Sequence, residues 1–366
     1  MKIFLALADS PFKPVGGLGE RWKNLLNYLE KDFNIYGICL GSGTDKVLGV
    51  GHLDDFFFME FVLVANAEKQ INKFGKPDLI IATDYFTVPT AYILSQQLEV
   101  PWIIEFNLAL YSYQRLYNPN ALHPSLIPYS NHINFLEKFA SENADLVITC
   151  SEYYRNELPY KTKNWHKPEV IPNGLNLQDF NINAEKYKFQ GNYKWNLVYI
   201  GRLNTQKGVR LLLDLDLPEN TALNFIGSKE GSDLYQEVIN VNPKSRKFYL
   251  GYKTGKEKIQ IMKSANAILF PSLHEPFGIV GLEAIACKTP LITTLVGGIS
   301  SYVSEKDCIK CEPTVVSIKN AIERLQKMSN EEISSMTERA YNNIKNFDWQ
   351  QIAEKYKNII LSFKSN

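Results

Sequence analysis

The chain has 366 residues, 45% of them apolar and 22% charged, with a net charge of +1. That length exceeds what one hydrophobic core usually supports, so two domains are expected, and the composition excludes a disordered chain. The charge balance gives no global pull toward nucleic acid or an acidic partner, so any basic site must be local, and no nucleic-acid partner is expected.

"KIFLALA" (2–8) opens the chain as a buried strand, since the apolar run is short and meets Asp9 without a small-residue cleavage site. "FNIYGICL" (33–40), "DLIIAT" (78–83), "PWIIEF" (101–106) and "ADLVITC" (144–150) follow as strands. Helical periodicity falls between them, at 19–31, 56–74, 87–98 and 132–143. The rhythm repeats in the second half, with strands at 195–202, 222–228, 247–252, 267–272 and 290–294. Its helices are expected near 208–217, 231–239, 256–264, 279–287 and 315–327. The fold class is therefore α/β, two doubly wound units with parallel sheets covered on both faces. The join falls in "KPEVIPNGLNLQDF" (167–180), where Pro, Asn and Gly interrupt the periodicity, and we draw it between 174 and 175. No run approaches the roughly twenty apolar residues of a spanning helix, so the chain reads as soluble or at most peripheral. Its five scattered cysteines read as an intracellular, cytoplasmic protein. Cys308 and Cys311 have CxxC spacing, but no second pair and no helix start accompany them.

In open α/β sheets ligands bind beyond the carboxyl ends of strands. Three such ends carry chemistry. In "PSLHEPFGIVGLEAIACKTP" (271–290), Glu275 sits in a loop after a strand and Glu283 on the helix that follows. Eight residues of continuous helix would part them by about 12 Å, so they are not a shared-proton dyad. Phe277 and Gly278 lie between, where backbone N–H groups gather partial positive charge at a helix start. Carboxylate, amide donors and a second carboxylate suit a hydroxyl-rich ligand; the plainer reading is a turn residue and a solvated helix residue. In "WNLVYIGRLNTQKGV", Arg202 and Lys207 follow a strand directly and could hold a diphosphate, or be two surface cations. In "DSPFKPVGGLGERW", Gly16, Gly17 and Gly19 let a backbone approach a ligand closely. A dinucleotide fingerprint is not supported, because Trp22 stands where the third glycine belongs.

These segments together resemble the nucleotide-sugar glycosyltransferases of family four and, less closely, glycogen and starch synthases. The E-x7-E element with its P-F-G and L-E-A flanks is the specific part; "GGLG" and "VIPNG" are not. The resemblance extends to "FDWQQIAEKYKNII" (347–360) and implies the GT-B fold, two Rossmann-like domains facing across a cleft. Residues 1–174 would form the acceptor domain and 175–349 the donor domain, with a final helix in 350–366 crossing back. It implies retaining, metal-independent transfer of a hexose from a UDP-, GDP- or ADP-sugar to a glycan, a lipid-linked or another hydroxyl acceptor. No cofactor, no metal and no obligate protein partner are expected. Arg202 and Lys207 would clamp the donor diphosphate, Glu275 the transferred sugar and Glu283 the ribose. Phe277 and Gly278 would offer backbone donors, and Gly16 and Gly17 would border the phosphates.

One departure stands out. Asn107 occupies the place of the family's usual histidine, where it could donate a hydrogen bond but not carry a proton. Glu105 is the nearby titratable group, pointing into the cleft or anchoring its strand. A non-catalytic nucleotide-sugar-binding protein and a glucan synthase thus stay open as alternatives. For the acceptor, Tyr111, Tyr113, Tyr117 and Tyr129 offer ring faces to a glycan, or fill gaps in a long loop. Arg21, Trp22 and Lys23 could rest a helix on a membrane, although Leu25, Leu26 and Leu29 fit ordinary packing.

Overall fold

The computed structural model describes the chain apart from residues 15, 52–55, 108–126, 159–161, 164–166, 183–184 and 365–366, and apart from the side chains of 56–58 and 127–129. Two compact units emerge, Met1–Gly174 with Trp349–Asn366, and Leu175–Asp348.

The first unit has strands β1 (Lys2–Leu7), β2 (Asn34–Leu40), β3 (Val47–Val50), β4 (Leu79–Thr83), β5 (Trp102–Phe106), β6 (Leu146–Thr149) and β7 (Glu169–Val170). Around them lie helices α1 (Gly17–Leu29), α2 (Phe56–Phe74), α3 (Val88–Leu98), α4 (Ile127–Asn143) and α5 (Glu152–Glu157). The sheet order is β3-β2-β1-β4-β5-β6-β7 and each pairing is parallel, with Ile3 opposite Ile35 on one side and Leu79 on the other. β1 and β4 are buried on both faces, which is why they read as continuous apolar runs instead of alternating.

The second unit has β8 (Trp195–Ile200), β9 (Thr221–Ile226), β10 (Lys247–Tyr249), β11 (Ala267–Phe270), β12 (Leu291–Thr293) and β13 (Ile309–Lys310). Its helices are α6 (Val209–Leu213), α7 (Tyr235–Ile239), α8 (Gly255–Ser264), α9 (Ile279–Ala286), α10 (Val315–Lys327) and α11 (Asn330–Asn343). The order β10-β9-β8-β11-β12-β13 is again all parallel. Both sheets therefore reverse direction beside their first strand, between β1 and β4 and between β8 and β11. Those are the switch points at which doubly wound sheets open a crevice.

The last helix, α12 (Trp349–Ser362), belongs to the first unit. Trp349, Ile352, Tyr356 and Ile360 are buried in one core with Trp22 and Leu25 of α1, and the Trp22 and Tyr356 rings meet edge to face at 5.5 Å. The two chain crossings lie side by side, because Leu175 and Asp348 form a parallel bridge.

Several expectations change here. Arg21 and Trp22 are fully buried, so α1 does not offer them to a membrane; its buried stripe packs on the sheet and α12. No described helix is long and apolar enough to cross a membrane. In α2, Met59 and Leu63 are buried while Phe61 is 75% exposed. Tyr111, Tyr113 and Tyr117 lie outside the described residues, as does the Tyr129 side chain. All five cysteines are free and buried, and burial pushes the Cys308 and Cys311 thiols up to about 12. Such thiols stay protonated and inert at neutral pH.

Candidate functional site

The loops after β8 and β11 flank the switch point of the second unit and are tied together by backbone. Leu273 N–H donates to the Gln206 carbonyl at 2.8 Å. Gly208 has φ of 74°, and a Cβ there would stand 2.1 Å from the Pro271 carbonyl oxygen, so only glycine allows so close an approach. Just before it, a single 3₁₀ turn (Thr205–Lys207) is capped by Asn204, whose side chain accepts from Lys207 N–H at 3.1 Å. The result is to hold Lys207 over the β11 loop.

There Lys207 Nζ donates to Glu275 Oε2 at 2.5 Å, and Ser272 Oγ lies 3.4 Å from the same oxygen. Glu275 is 6% exposed. Its carbonyl accepts from Gly298 N–H at 2.8 Å, pinning the loop to the segment after β12. Burial lowers the His274 pKa, the Lys207 charge adds to this, and the Glu275 charge opposes it. Phe277 is buried, its ring 5.4 Å from Tyr302 and 6.1 Å from Phe347. Gly278 caps α9 with φ of 92°, and the Tyr302 hydroxyl donates to its carbonyl. Burial, with Glu275 next in weight, holds that hydroxyl well above the usual tyrosine range.

Glu283 lies further along α9 and is 7% exposed. Lys258 of α8 donates to its Oε1 at 2.5 Å, whereas Oε2 is buried with no hydrogen-bond partner. Glu283 is thus a paired, buried carboxylate and not a solvated helix residue. Arg202 is exposed; its carbonyl accepts from the Tyr199 hydroxyl at 2.6 Å, and its guanidinium makes no ion pair among the described residues. Lys207, Glu275, Phe277 and Gly278 are therefore brought into one contacting group, Glu283 sits behind them on α9, and Arg202 stays at the rim of its loop. Asp214 and Asp216 are both exposed, and Asp216 pairs with Lys319 at 3.0 Å.

In the first unit the corresponding loop follows β1. Asp9 Oδ2 accepts from Gly16 N–H and Gly19 N–H, both at 3.0 Å, and Oδ1 from Ser10 N–H. The start of α1, expected to border phosphates through Gly16 and Gly17, already carries a carboxylate of the chain itself. Glu105 anchors its strand: it is 1% exposed, pairs with Arg21 Nε at 2.5 Å and accepts from the Tyr356 hydroxyl at 2.9 Å. Asn107 donates its amide to Glu105 Oε1 at 2.8 Å. A carboxylate paired with arginine can only accept, so it is the amide nitrogen of Asn107 that faces Glu105, using one of its two N–H donors. Asn107 thus donates a hydrogen bond, as its type allows, and gives it to Glu105 of its own strand.

Lys258, Tyr302, Gly298 and Asp9 were missed by the motif reading. Lys258 had no signal, being one of three lysines on a single short helix. "VGG" (296–298), directly after a strand, was a usable signal for the segment that receives the Glu275 loop.

The model of the family described as Glycosyltransferase Family 4 matches residues 15–179, and that of Glycosyl transferases group 1 matches 181–347. An uncharacterized glycosyltransferase of Methanocaldococcus jannaschii, MJ1607, is 26% identical over 337 residues, covering 84% of this chain and 83% of that one. A glycogen synthase of Mycobacterium tuberculosis is 25% identical over 309 residues, covering 79% and 70%. Among solved structures, sucrose-phosphate synthase from Thermosynechococcus elongatus superposes with a TM-score of 0.80 at 19% identity, covering 100% of this chain and 99% of that one. Anabaena Alr3699/HepE, in complex with UDP-glucose, gives 0.76 at 18%, covering 99% and 100%. With one family model on each half and two Rossmann-like units in the same strand order, the chain belongs to the GT-B glycosyltransferases of the family 4 kind, with similarity to glycogen synthases.

Proposed function

We propose that this glycosyltransferase takes a hexose from a nucleoside diphosphate sugar and passes it, with retention at the anomeric carbon and without a metal, to a hydroxyl of a glycan or lipid-linked acceptor. The observation that carries the reading is the Lys207–Glu275 ion pair at the switch point of the second unit. Breaking the anomeric C–O bond builds positive charge on the sugar ring and negative charge on the departing phosphate. A fixed cation and a fixed carboxylate in contact, both largely buried, match those two charges without reorganisation. The donor diphosphate would share Lys207 and be met from the loop's rim by Arg202. The sugar hydroxyls would donate to Glu275, with backbone donors from Phe277 and Gly278, and the ribose to Glu283. Retention places the acceptor hydroxyl on the face of the leaving phosphate, which would then take its proton, so no separate base is needed from the first unit. The complex of HepE with UDP-glucose is a precedent for such a donor on this fold.

A second reading, a nucleotide-sugar-binding protein without turnover, is favoured by Asn107, whose amide is committed to Glu105 and cannot move a proton. One experiment separates them. Binding and hydrolysis of UDP-, GDP- and ADP-sugars are measured without metal, for the parent and for Lys207→Ala. Turnover of one donor in the parent, reduced about 100-fold or more in the variant, is the expected result. Binding without turnover in the presence of glycan and lipid-linked acceptors selects the second reading, and no binding of any donor refutes both.

A further inference from the structure

The second unit holds a cavity of about 500 Å³, within the range of ligand clefts, to which the loops after β8 and β11 contribute no residue. It lies between the C-terminal half of α11 and the 3₁₀ turn Gly297–Ser301 with the segment that follows it. Ser300, Ser301, Ser304 and Asp307 line it from the turn and that segment, and Arg339 and Asn342 from the helix. Asp307 is 8% exposed, and its Oδ2 accepts from the Ser304 N–H at 3.1 Å, the Ser304 hydroxyl at 2.6 Å and the Asn343 amide at 3.0 Å. Its Oδ1 takes no hydrogen bond among the described residues and is not sealed from solvent. Arg339 is held at both terminal nitrogens, which donate to the Ser335 hydroxyl and the Lys306 carbonyl at 2.7 Å each. Its Nε is left 4.0 Å from Asp307 Oδ1, too long for a hydrogen bond and wide enough for one oxygen atom to bridge.

That bridging atom must accept from the arginine and donate to the carboxyl oxygen, which a hydroxyl does. An anion would meet Asp307 there, and a cation would meet Arg339 and Lys306. The Ser301 hydroxyl and the Asn342 amide make no hydrogen bond among the described residues, and each can both donate and accept. We infer that this cavity is a saccharide site, taking a neutral, hydroxyl-rich sugar through Asp307 Oδ1, Arg339 Nε and the Asn342 amide. The site is separate from the loops given to the donor, and the inference does not depend on the donor reading.

The test is saturation-transfer NMR observed on the sugar. Glucose, galactose, mannose, N-acetylglucosamine, maltotriose and cellotriose are titrated singly into the parent, Arg339→Met, Asn342→Ala and Lys207→Ala. At least one should bind the parent. Asn342→Ala should weaken that binding about 3- to 10-fold and Arg339→Met about 10-fold or more, while Lys207→Ala leaves it unchanged. Asn342→Ala breaks no internal hydrogen bond, so it should melt with the parent and separates the site from folding. Binding of a trisaccharide alone would support the site with a glycan chain as its ligand, and binding of a monosaccharide alone would support it with a free sugar. No binding of any sugar, or binding untouched by the two cavity variants, would overturn the inference. Binding lost in Lys207→Ala would place the sugar at the loops after β8 and β11 and also overturn it, as would displacement of the sugar by inorganic phosphate.

Discussion

Gly278→Ala should damage the second unit in a way that a partner substitution can partly repair. Gly278 has φ of 92°, where a side chain is strained by roughly 1–2 kcal/mol. A Cβ there would also stand 2.8 Å from the Tyr302 hydroxyl oxygen and 3.2 Å from Glu275 Cγ, an overpacking worth roughly 1–3 kcal/mol. Together these predict a loss of about 2–5 kcal/mol, or roughly 4–20 °C in the melting of a unit of this size. Tyr302→Phe removes the nearest obstacle. By itself it should cost about 1 kcal/mol, because the Gly278 carbonyl keeps its bonds from Gly281 and Leu282 N–H. The backbone strain remains in the double variant but the closest clash does not, so it should be more stable than the sum of the singles by about 1–2 kcal/mol. Thermal unfolding of the four proteins, followed by calorimetry, measures this coupling. An alanine variant melting within about 1 °C of the parent, or two substitutions that simply add, would refute the packing argument.

Three further outcomes follow from other parts of the molecule. Glu105→Gln leaves the Arg21 cation, 0% exposed, without its counter-charge and should cost about 3–5 kcal/mol in denaturant unfolding; a cost below about 1 kcal/mol would mean that the pair is dispensable. Asp9→Ala removes the acceptor of Ser10, Gly16 and Gly19 N–H, and should lower stability by about 0.5–2 kcal/mol in urea, with an unchanged midpoint as the contrary result. Because the folded His274 pKa lies below its ordinary 6.5, the unfolded chain binds the proton more tightly. His274 therefore leaves stability intact above about pH 6.5 and lowers it as pH falls from there through the folded value. His274→Gln should flatten the fall in melting temperature between about pH 7 and pH 5, and parallel curves for the two proteins would dismiss it.

The strands that matter most were readable because β1, β4, β8 and β11 are buried on both faces and appear as unbroken apolar runs. The motif loops were readable for a related reason: an informative residue directly after such a run must sit at a sheet end. What stayed hidden was short or distant. β7 and β13 have two residues each, too few to show a period, and α11, "NEEISSMTERAYNN", buries only three positions of a polar stretch. Arg21 looked like a surface residue because its partner Glu105 is 84 positions away, and Tyr356 reaches Glu105 from 251 positions. A two-residue period places Glu105 on one face of β5 but cannot say what that face meets. Lys258 and Glu283 belong to different helices, so no local pattern joins them.

The return of α12 to the first unit also bears on how the chain is made. On the ribosome the first 174 residues emerge early, yet Trp349, Ile352, Tyr356 and Ile360, which close their core, come only after the whole second unit. At roughly 5–20 residues per second, that delay is about 9–35 s. During it, the groove on α1 that α12 will fill stays open, and the Glu105 oxygen that Tyr356 will meet has not yet received its donor. Nascent first units thus wait in an unfinished state, and a ribosome stalled within the second unit leaves a product whose oily flank a chaperone or protease can recognise.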